Sequence, residues 1–255
     1  MLIDIHAHFD MLEDTPDVVI QKAKAAGVTK MITIGTEAAD LPYVLDVSAK
    51  YYPDLYCTLG VHPHHGSGWT EEIGEFIVKN LPEKTVVAVG EIGLDYYYKQ
   101  SPPEEQRQAF RRQLEIAEKF NMPVQIHTRD AEEDTAEILK DFKGKVKGLI
   151  HCFTSSQDLA RQCLDFGFNI SFSGVVTFKN ADSLRETCRF VPLDRMHVET
   201  DAPFLAPVPM RGKKNTPAFV VHTASLVAQI KGISEEQLAQ ATNENARQLF
   251  PKIVW

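Results

Sequence analysis

Two histidines one residue apart, His6 and His8, are the first residues of the chain whose types and spacing could do chemistry. They follow directly on a short apolar run at residues 2–5. Because the side chains of a β-strand repeat with period two, both imidazoles would point the same way. Two imidazoles on one face of a strand end are placed to bind one divalent cation. The pair therefore predicts part of a metal site.

Further residues of ligand type stand at the ends of other apolar runs. With the first two histidines they make six candidate ligands: His6, His8, Glu91, His127, His151 and Asp201. A single catalytic zinc needs about three protein ligands and a water, so this number favours two divalent ions. The sequence predicts a two-metal site in which the ions are zinc, magnesium or manganese, because imidazole suits zinc whereas nucleases often use the harder cations.

The ligand types also suggest how two ions would be shared. Glu91 is the candidate bridge, because a carboxylate has two oxygens and can hold two cations a few Å apart. We expect His6 and His8 on one ion and His127 and His151 on the other. Asp201 is expected beside the first ion, where it could bind the metal, orient the attacking water and take its proton.

Two more polar residues, His197 and Glu199, precede Asp201 with the same strand parity. They would therefore face the same way but lie deeper in the fold. Glu199 is expected to support a ligand rather than to be one, and His197 to be structural.

Short β-rich runs alternate with longer amphipathic stretches along the whole chain. The predicted strands cover residues 2–5, 30–34, 56–61, 86–91, 124–127, 148–151, 169–173 and 197–201. Several are continuously apolar, as in strands covered on both faces. Eight strand–helix units in one chain predict an α/β fold of the TIM-barrel, (β/α)8, type, formed as a single domain by residues 1–255. The alternative is an open doubly wound sheet, which the absence of a glycine-rich dinucleotide fingerprint after the first strand disfavours.

Helix starts are indicated at four places. Thr15-Pro16 and Thr216-Pro217 each put a capping residue before a proline at the first helical position. Ser101 and Ser234 each have a glutamate or glutamine three residues later, the pattern of a capping box.

Composition narrows the class of protein. The chain has 255 residues, of which 44% are hydrophobic and 24% charged, and a formal net charge of −8, which counts against broad coating of nucleic acid. Four widely spaced cysteines form no CxxC pair and are expected to be reduced, buried thiols. No signal peptide, membrane span or organic cofactor motif is evident, so a cytoplasmic protein without an organic cofactor is expected.

The order and spacing of these residues resemble the TatD family of metal-dependent deoxyribonucleases, within the amidohydrolase superfamily. The segments that carry the resemblance are 4–10 (DIHAHFD), 60–64 (GVHPH), 90–96 (GEIGLDY), 127–131 (HTRDA), 151–153 (HCF), 173–181 (SGVVTFKNA), 199–207 (ETDAPFLAP) and 243–246 (NENA). The resemblance implies a (β/α)8 barrel, a divalent-metal site and hydrolysis of phosphodiester bonds in DNA. It places the family's ligands on the same six residues. One departure is Met210, where many members have a histidine.

Groups that could bind such a substrate stand at the same predicted end of the barrel. His62 and Arg129 are candidates for holding a phosphate oxygen. Arg211 and Lys213, together with Lys214, form a basic loop after the last strand that could guide DNA or could be an ordinary solvated turn.

Three classes of function remain open at this point. The first is a metal-dependent DNase, with DNA as substrate and with exonuclease action as one open mode. The second is a metal-dependent hydrolase of a small-molecule ester, lactone or amide. The third is a binding protein without catalysis, against which the complete ligand set argues, since a retired site would be free to lose ligands.

Overall fold

The computed structural model describes residues 1–255 and contains one sheet of eight parallel strands. The strands are β1 (Leu2–Ala7), β2 (Val28–Ile34), β3 (Leu55–Leu59), β4 (Val86–Asp95), β5 (Val124–Arg129), β6 (Gly148–Ile150), β7 (Asn169–Phe172) and β8 (Met196–Val198). Their order in the sheet follows their order in the chain. Consecutive parallel order is the order of a barrel, so the predicted TIM-barrel fold is confirmed and the doubly wound alternative is wrong.

Side chains and loop backbone close the barrel between β8 and β1. A single bridge pairs Ala7 with Ala202, and the backbone N–H of Asp201 donates to the carbonyl of His6 at 3.0 Å. The buried carboxylate of Asp4 accepts from the backbone N–H of Thr200 at 2.9 Å and from its hydroxyl at 2.5 Å. The segment that carries Asp201 is thereby held against the strand that carries His6 and His8.

Nine α-helices accompany the strands. They are α1 (Pro16–Ala25), α2 (Leu41–Lys50), α3 (Glu71–Asn80), α4 (Pro103–Phe120), α5 (Glu132–Asp141), α6 (Gln157–Phe166), α7 (Asp182–Phe190), α8 (Val220–Lys231) and α9 (Glu235–Leu249). The larger hydrophobic cluster brings strand residues together with buried helix residues such as Phe110 and Leu114 of α4, which recur at helical spacing. No helix is both long and apolar enough to cross a membrane.

A second, smaller cluster closes the floor of the barrel. Ile3 and Ile5 of β1 and Tyr56 of β3 pack there with Phe250 and Ile253, which follow α9. Lys252 supports the same corner, because its ammonium donates to the carbonyl oxygens of Leu81, Glu83 and Val86. The opposite end of the barrel is left open for a site.

The helix starts were predicted with mixed success. The capping box at Ser234 is confirmed, with both of its hydrogen bonds present. The one predicted at Ser101 is wrong, because the Ser101 hydroxyl donates to the carbonyl of His64 and α4 begins two residues later. The start at Thr15-Pro16 is confirmed, since α1 begins at Pro16 with Thr15 as its N-cap residue, although the Thr15 side chain makes no capping hydrogen bond. Thr216 makes none either, and the segment after it is a 3-10 turn before α8.

The strand ends also differ from the predicted ones. β4 continues four residues beyond Glu91, as far as Asp95, whereas β8 ends at Val198, three residues before Asp201. All four cysteines are free thiols, of which Cys57, Cys163 and Cys188 are buried and Cys152 is half-buried.

Candidate metal centre

A cleft of about 680 Å³ opens at the carboxyl end of the strands. Its lining includes five of the six candidate ligands, namely His8, Glu91, His127, His151 and Asp201. The sixth, His6, is fully buried beneath them. The parity argument for His6 and His8 is therefore sound, and strand ends from five parts of the chain bring the six residues together.

Glu91 stands at the centre of the group and is only 2% exposed. Its Oε1 lies 2.7 Å from Nε2 of His151 and 3.0 Å from Nδ1 of His127. Its Oε2 lies 3.4 Å from Nε2 of His6 and 4.0 Å from Nε2 of His8. Among the four candidate histidine ligands, each carboxylate oxygen thus faces a different pair.

Asp201 joins the pair formed by His6 and His8. Its Oδ1 lies 3.3 Å from Nε2 of His8 and 3.8 Å from Nε2 of His6. The residue has a positive φ of 58°, which an aspartate adopts more readily than most residues. Donor atoms of these three residues all lie within 4.8 Å of one another, so they could hold a cation.

Three of the four histidines are oriented by oxygen acceptors behind them. Nδ1 of His6 lies 2.7 Å from Oε1 of Gln125, whose amide nitrogen is already donating to a backbone carbonyl. The Gln125 oxygen therefore accepts a proton from Nδ1, which leaves a lone pair on Nε2 of His6. That nitrogen is buried and has no hydrogen-bond partner, as expected for a ligand atom.

Carboxylates orient the other two histidines, His127 and His151. Oε1 of Glu199 lies 3.1 Å from Nδ1 of His151, and Oδ2 of Asp95 lies 3.1 Å from Nε2 of His127. With these outer nitrogens protonated, the inner nitrogens of His127 and His151 face each other at 3.3 Å across Oε1 of Glu91. Two lone pairs and a carboxylate at that spacing require a cation or a proton among them.

The electrostatics point the same way. Burial alone would lower the pKa of His151, but the charges of Glu91 and Glu199 outweigh it and raise that pKa well above its ordinary value. Burial likewise opposes ionisation of Glu91, yet the charge of His151 and the hydrogen bond from His127 hold its pKa well below the usual range. The fold therefore concentrates negative charge in a buried place that favours a positive partner.

His62 differs from the other imidazoles. Its Nδ1 accepts a hydrogen bond from the backbone N–H of His64 at 3.1 Å, so the ring proton is on Nε2. That nitrogen points at Oε1 of Glu91, 3.4 Å away. Burial lowers the pKa of His62 to about 4, so the ring is neutral. In this tautomer His62 presents a donor rather than a lone pair to the centre.

Two residues with clear contacts to the candidate ligands, Asp95 and Gln125, were not predicted from the sequence. Asp95 was outside the predicted strand, although it shares the parity of Glu91 once β4 is extended. Gly93, between them, lies so close to β5 that an added Cβ would meet the carbonyl oxygen of His127 at 2.0 Å. Gln125 has the parity of His127, and that shared parity was the available signal.

Similarity to known proteins decides the family. Residues 3–251 match the family model described as TatD related DNase. The chain belongs to the TatD family. A Bacillus subtilis TatD relative, the "uncharacterized metal-dependent hydrolase YabD", is 40% identical over 253 residues, covering 98% of this chain and 99% of that protein. The "3'-5' ssDNA/RNA exonuclease TatD" of Pantoea ananatis is 37% identical over 238 residues, covering 91% and 92%.

Solved structures agree with the assignment to the TatD family. The crystal structure of the TatD homologue YjjV from Escherichia coli superposes with a TM-score of 0.91 at 30% identity, with 98% of each chain covered. The predicted resemblance is confirmed, and with it the class of activity: the protein is a metal-dependent hydrolase that acts on ester bonds.

The predicted substrate groups lie in different places within this TatD fold. His62 and Arg129 line the cleft, whereas Arg211 and Lys213 do not. Arg211 stacks its guanidinium over Phe178, 4.0 Å from the ring centre, and donates to the carbonyl of Ala206. Lys214 pairs with Glu13 at 2.5 Å. Lys213 alone of the loop's three cations makes neither an ion pair nor a side-chain hydrogen bond.

Proposed function

We propose that the protein is a nuclease that hydrolyses phosphodiester bonds of DNA with two divalent metal ions. The observation that carries the proposal is the position of Glu91, whose two carboxylate oxygens face separate pairs of imidazoles. A site of this kind suits two cations bridged by one carboxylate. The name of the Pantoea ananatis relative supports nucleic acid as the substrate and exonucleolytic cleavage as the mode.

The ligands divide between the two ions along the same line. We assign His6, His8 and Asp201 to one ion and His127 and His151 to the other, with Glu91 between them. The donor set fits this use, since the ring nitrogens that face the centre are free of other hydrogen bonds where their outer partners are Gln125, Glu199 or Asp95. Glu199 contacts the outer nitrogen of His151 and so orients a ligand.

Charge supports two ions rather than one. Four carboxylates surround the centre: Glu91, Asp95, Glu199 and Asp201. Two divalent ions would balance these four negative charges with the histidines neutral. A single ion would leave a net negative charge in a buried region, which is costly.

Bound metal ions would lower the pKa of an attacking water and neutralise charge on the phosphate. Asp201 is then the general base, since its carboxylate borders the cleft and stays ionised: the surrounding histidines, His8 first, hold its pKa below the usual value despite burial. Glu91 links the ligands of one ion to those of the other. His62, with its proton on Nε2, donates to a phosphate oxygen, and Arg129 binds the substrate from the cleft wall.

The decisive experiment measures cleavage of labelled single- and double-stranded DNA by the purified protein, with and without a chelator. Esterase, lactonase and amidase substrates are assayed beside it. We expect DNA cleavage that chelation abolishes and that Zn²⁺, Mg²⁺ or Mn²⁺ restores. Chelator-sensitive hydrolysis of a small-molecule ester, lactone or amide with none of DNA would replace this proposal by the small-molecule alternative.

We also infer a cytoplasmic enzyme, because free buried thiols such as Cys57, Cys163 and Cys188 suit a reducing compartment.

A further inference from the structure

Two large aromatic side chains are left exposed at the mouth of the cleft. Tyr98 is 54% exposed and Phe204 is 49% exposed, and both line the cleft. Aromatic rings of this size usually bury most of their surface in a folded chain. Their exposure beside a hydrolytic centre indicates a partner that covers them during the reaction.

The two rings stand on opposite sides of the metal centre. Tyr98 comes three residues after the end of β4, and Phe204 lies in the loop after β8. In a barrel with the order β1 to β8, these two strands are diametrically opposed. Glu91 of β4 and Asp201 of the β8 loop lie between them, so a substrate across the centre meets one ring on each side.

Both rings are tied to residues of the centre. The backbone N–H of Tyr98 donates to Oδ1 of Asp95 at 2.9 Å, and the other oxygen of Asp95 contacts His127. The Tyr98 ring packs edge-on against His64, with ring centres 5.3 Å apart. On the other side, the backbone N–H of Phe204 donates to the carbonyl of Asp201 at 2.8 Å. Phe204 is thus tied to a proposed metal ligand, and Tyr98 is tied to Asp95, which contacts the proposed ligand His127.

A free cation accompanies the aromatic pair. The guanidinium of Arg129 lies 4.0 Å from the ring centre of Tyr97 and 4.8 Å from that of Tyr98. Arg129 has no carboxylate partner and donates no side-chain hydrogen bond within the protein. A cation between exposed aromatic rings suits a strand with alternating phosphates and bases better than it suits an uncharged apolar ligand.

We propose that Tyr98 and Phe204 stack on the nucleobases to either side of the scissile phosphodiester, and that this stacking makes the enzyme selective for unpaired ends. The inference rests on the proposed nuclease function and names the residues that select its substrate. A base within a duplex is covered by its neighbours and cannot offer its face to a protein ring without leaving the stack. Two rings that flank the cleavage point therefore favour single strands.

The test pairs protein variants with substrates that lack bases. Two single-stranded oligonucleotides are compared, one with ordinary nucleotides and one with abasic tetrahydrofuran nucleotides on both sides of the scissile bond. For the wild type, removing the bases should raise KM roughly 5- to 100-fold. Tyr98→Ala and Phe204→Ala should raise KM for the ordinary oligonucleotide by a similar factor, but should respond less than the wild type to removal of the bases. Tyr98→Phe, which keeps the ring, should behave as the wild type.

Phe190→Ala is the matched control. Phe190 is 39% exposed and ends α7, whose carboxyl end lies at the face of the barrel opposite the cleft. This variant should leave KM unchanged on both substrates, while metal content should be the same in every variant. The ratio of kcat/KM for single-stranded over blunt double-stranded DNA should fall in Tyr98→Ala and Phe204→Ala only.

The outcomes separate this inference from the proposed function. Chelator-sensitive cleavage with the same KM for ordinary and abasic strands would overturn the stacking role and leave the nuclease proposal standing. Absence of any chelator-sensitive cleavage of DNA would overturn both. A base-dependent KM that disappears with the rings supports both.

Discussion

Glu91 is the residue on which the proposed two-metal arrangement depends most. It is the one carboxylate within 4.0 Å of ring nitrogens from both pairs of histidines. A neutral amide at this position would keep the shape of the side chain but lose the charge that two cations share. The remaining histidines could still hold a single ion with Asp201.

Glu91→Gln should therefore reduce kcat for DNA by about 100-fold or more, and should lower the number of ions bound per chain from two to one or none. Metal content after dialysis and single-turnover cleavage rates provide the two readouts. Glu133→Gln, an exposed neutralisation of the same kind on α5, is the control and should change neither. Full activity in the Glu91→Gln variant would contradict the bridging role.

Asp95 acts on the centre through His127 and has no ligand role of its own in this arrangement. Asp95→Asn should lower the affinity for the ion assigned to His127 and His151 about 10- to 100-fold, because the amide no longer fixes the ring proton of His127 on Nε2. Competition titrations that resolve two metal affinities will measure this, and the affinity of the site built on His6 and His8 should stay as it is. Asp141→Asn, at an exposed ion pair with Arg111, is the matched control.

At the scale of elements, strand parity accounts for what could be predicted from the sequence. It correctly placed His6 and His8 on one face, although His8 follows the last residue of β1 and the pairing of β1 with β2 shifts register between Asp4 and Ala7. It could not say where a strand ends, because β4 continues through Gly93 only where the neighbouring backbone comes close enough to require glycine. Asp95 was missed for that reason.

Local signals failed where a tertiary contact competed for the same atom. Ser101 has the sequence of a capping residue, but its hydroxyl donates to the carbonyl of His64 and accepts from the backbone N–H of Ser67. Those partners belong to the loop after β3, so no pattern within α4 could have shown them. Ser234 has no such competitor, and its capping box forms as predicted.

Strand β8 carries a histidine that makes stability depend on pH. His197 is fully buried, and burial lowers its pKa to about 3, whereas an exposed histidine in the unfolded chain titrates near 6.5. Below pH 6.5, His197 binds a proton in the unfolded chain but stays neutral in the folded chain. Its contribution to stability is therefore complete above pH 6.5 and declines as the pH falls towards 3.

For metal-free protein, the His197 contribution to the free energy of unfolding should fall by about 2 kcal/mol between pH 8 and pH 5. His197→Gln removes this titration. The free energy of unfolding of the variant should therefore fall less than that of the wild type between pH 8 and pH 5, by about 2 kcal/mol. Urea unfolding at the two pH values measures the difference. His222→Gln, on the outer helix α8, should follow the wild type. Parallel pH profiles for wild type and His197→Gln would show that the buried imidazole does not matter.

At the scale of the whole molecule, the two ends of the barrel have different roles. The carboxyl ends of the strands hold the polar centre, and the floor is sealed by an apolar cluster that includes Phe250. The polar centre and the floor are built from different side chains of the same strands. In β1, for example, His6 belongs to the centre, and Ile3 and Ile5 belong to the floor. The free energy of unfolding and the activity of the polar centre should therefore respond to different substitutions.

Phe250→Ala should lower the free energy of unfolding by about 3–5 kcal/mol, because a fully buried aromatic ring is removed from the floor. Metal affinity of the folded protein should be unchanged. Trp255→Ala is the control, since that ring is 39% exposed and stacks on Arg247 at the surface. Urea unfolding and metal titration give the two measurements; a variant that loses metal affinity without losing stability would show that floor and rim are not separate.

The floor also couples the first strand to a distant part of the chain. Ile3 and Ile5 of β1 are made before residues that cover them, Ala246, Leu249, Phe250 and Ile253, which follow about 240 residues later. During synthesis the cluster lacks this part of its cover until those residues emerge, although its members on β2 and β3 are made earlier. Chains that end before residue 246 should consequently be cut rapidly by protease, while chains that include residues 246–253 should resist.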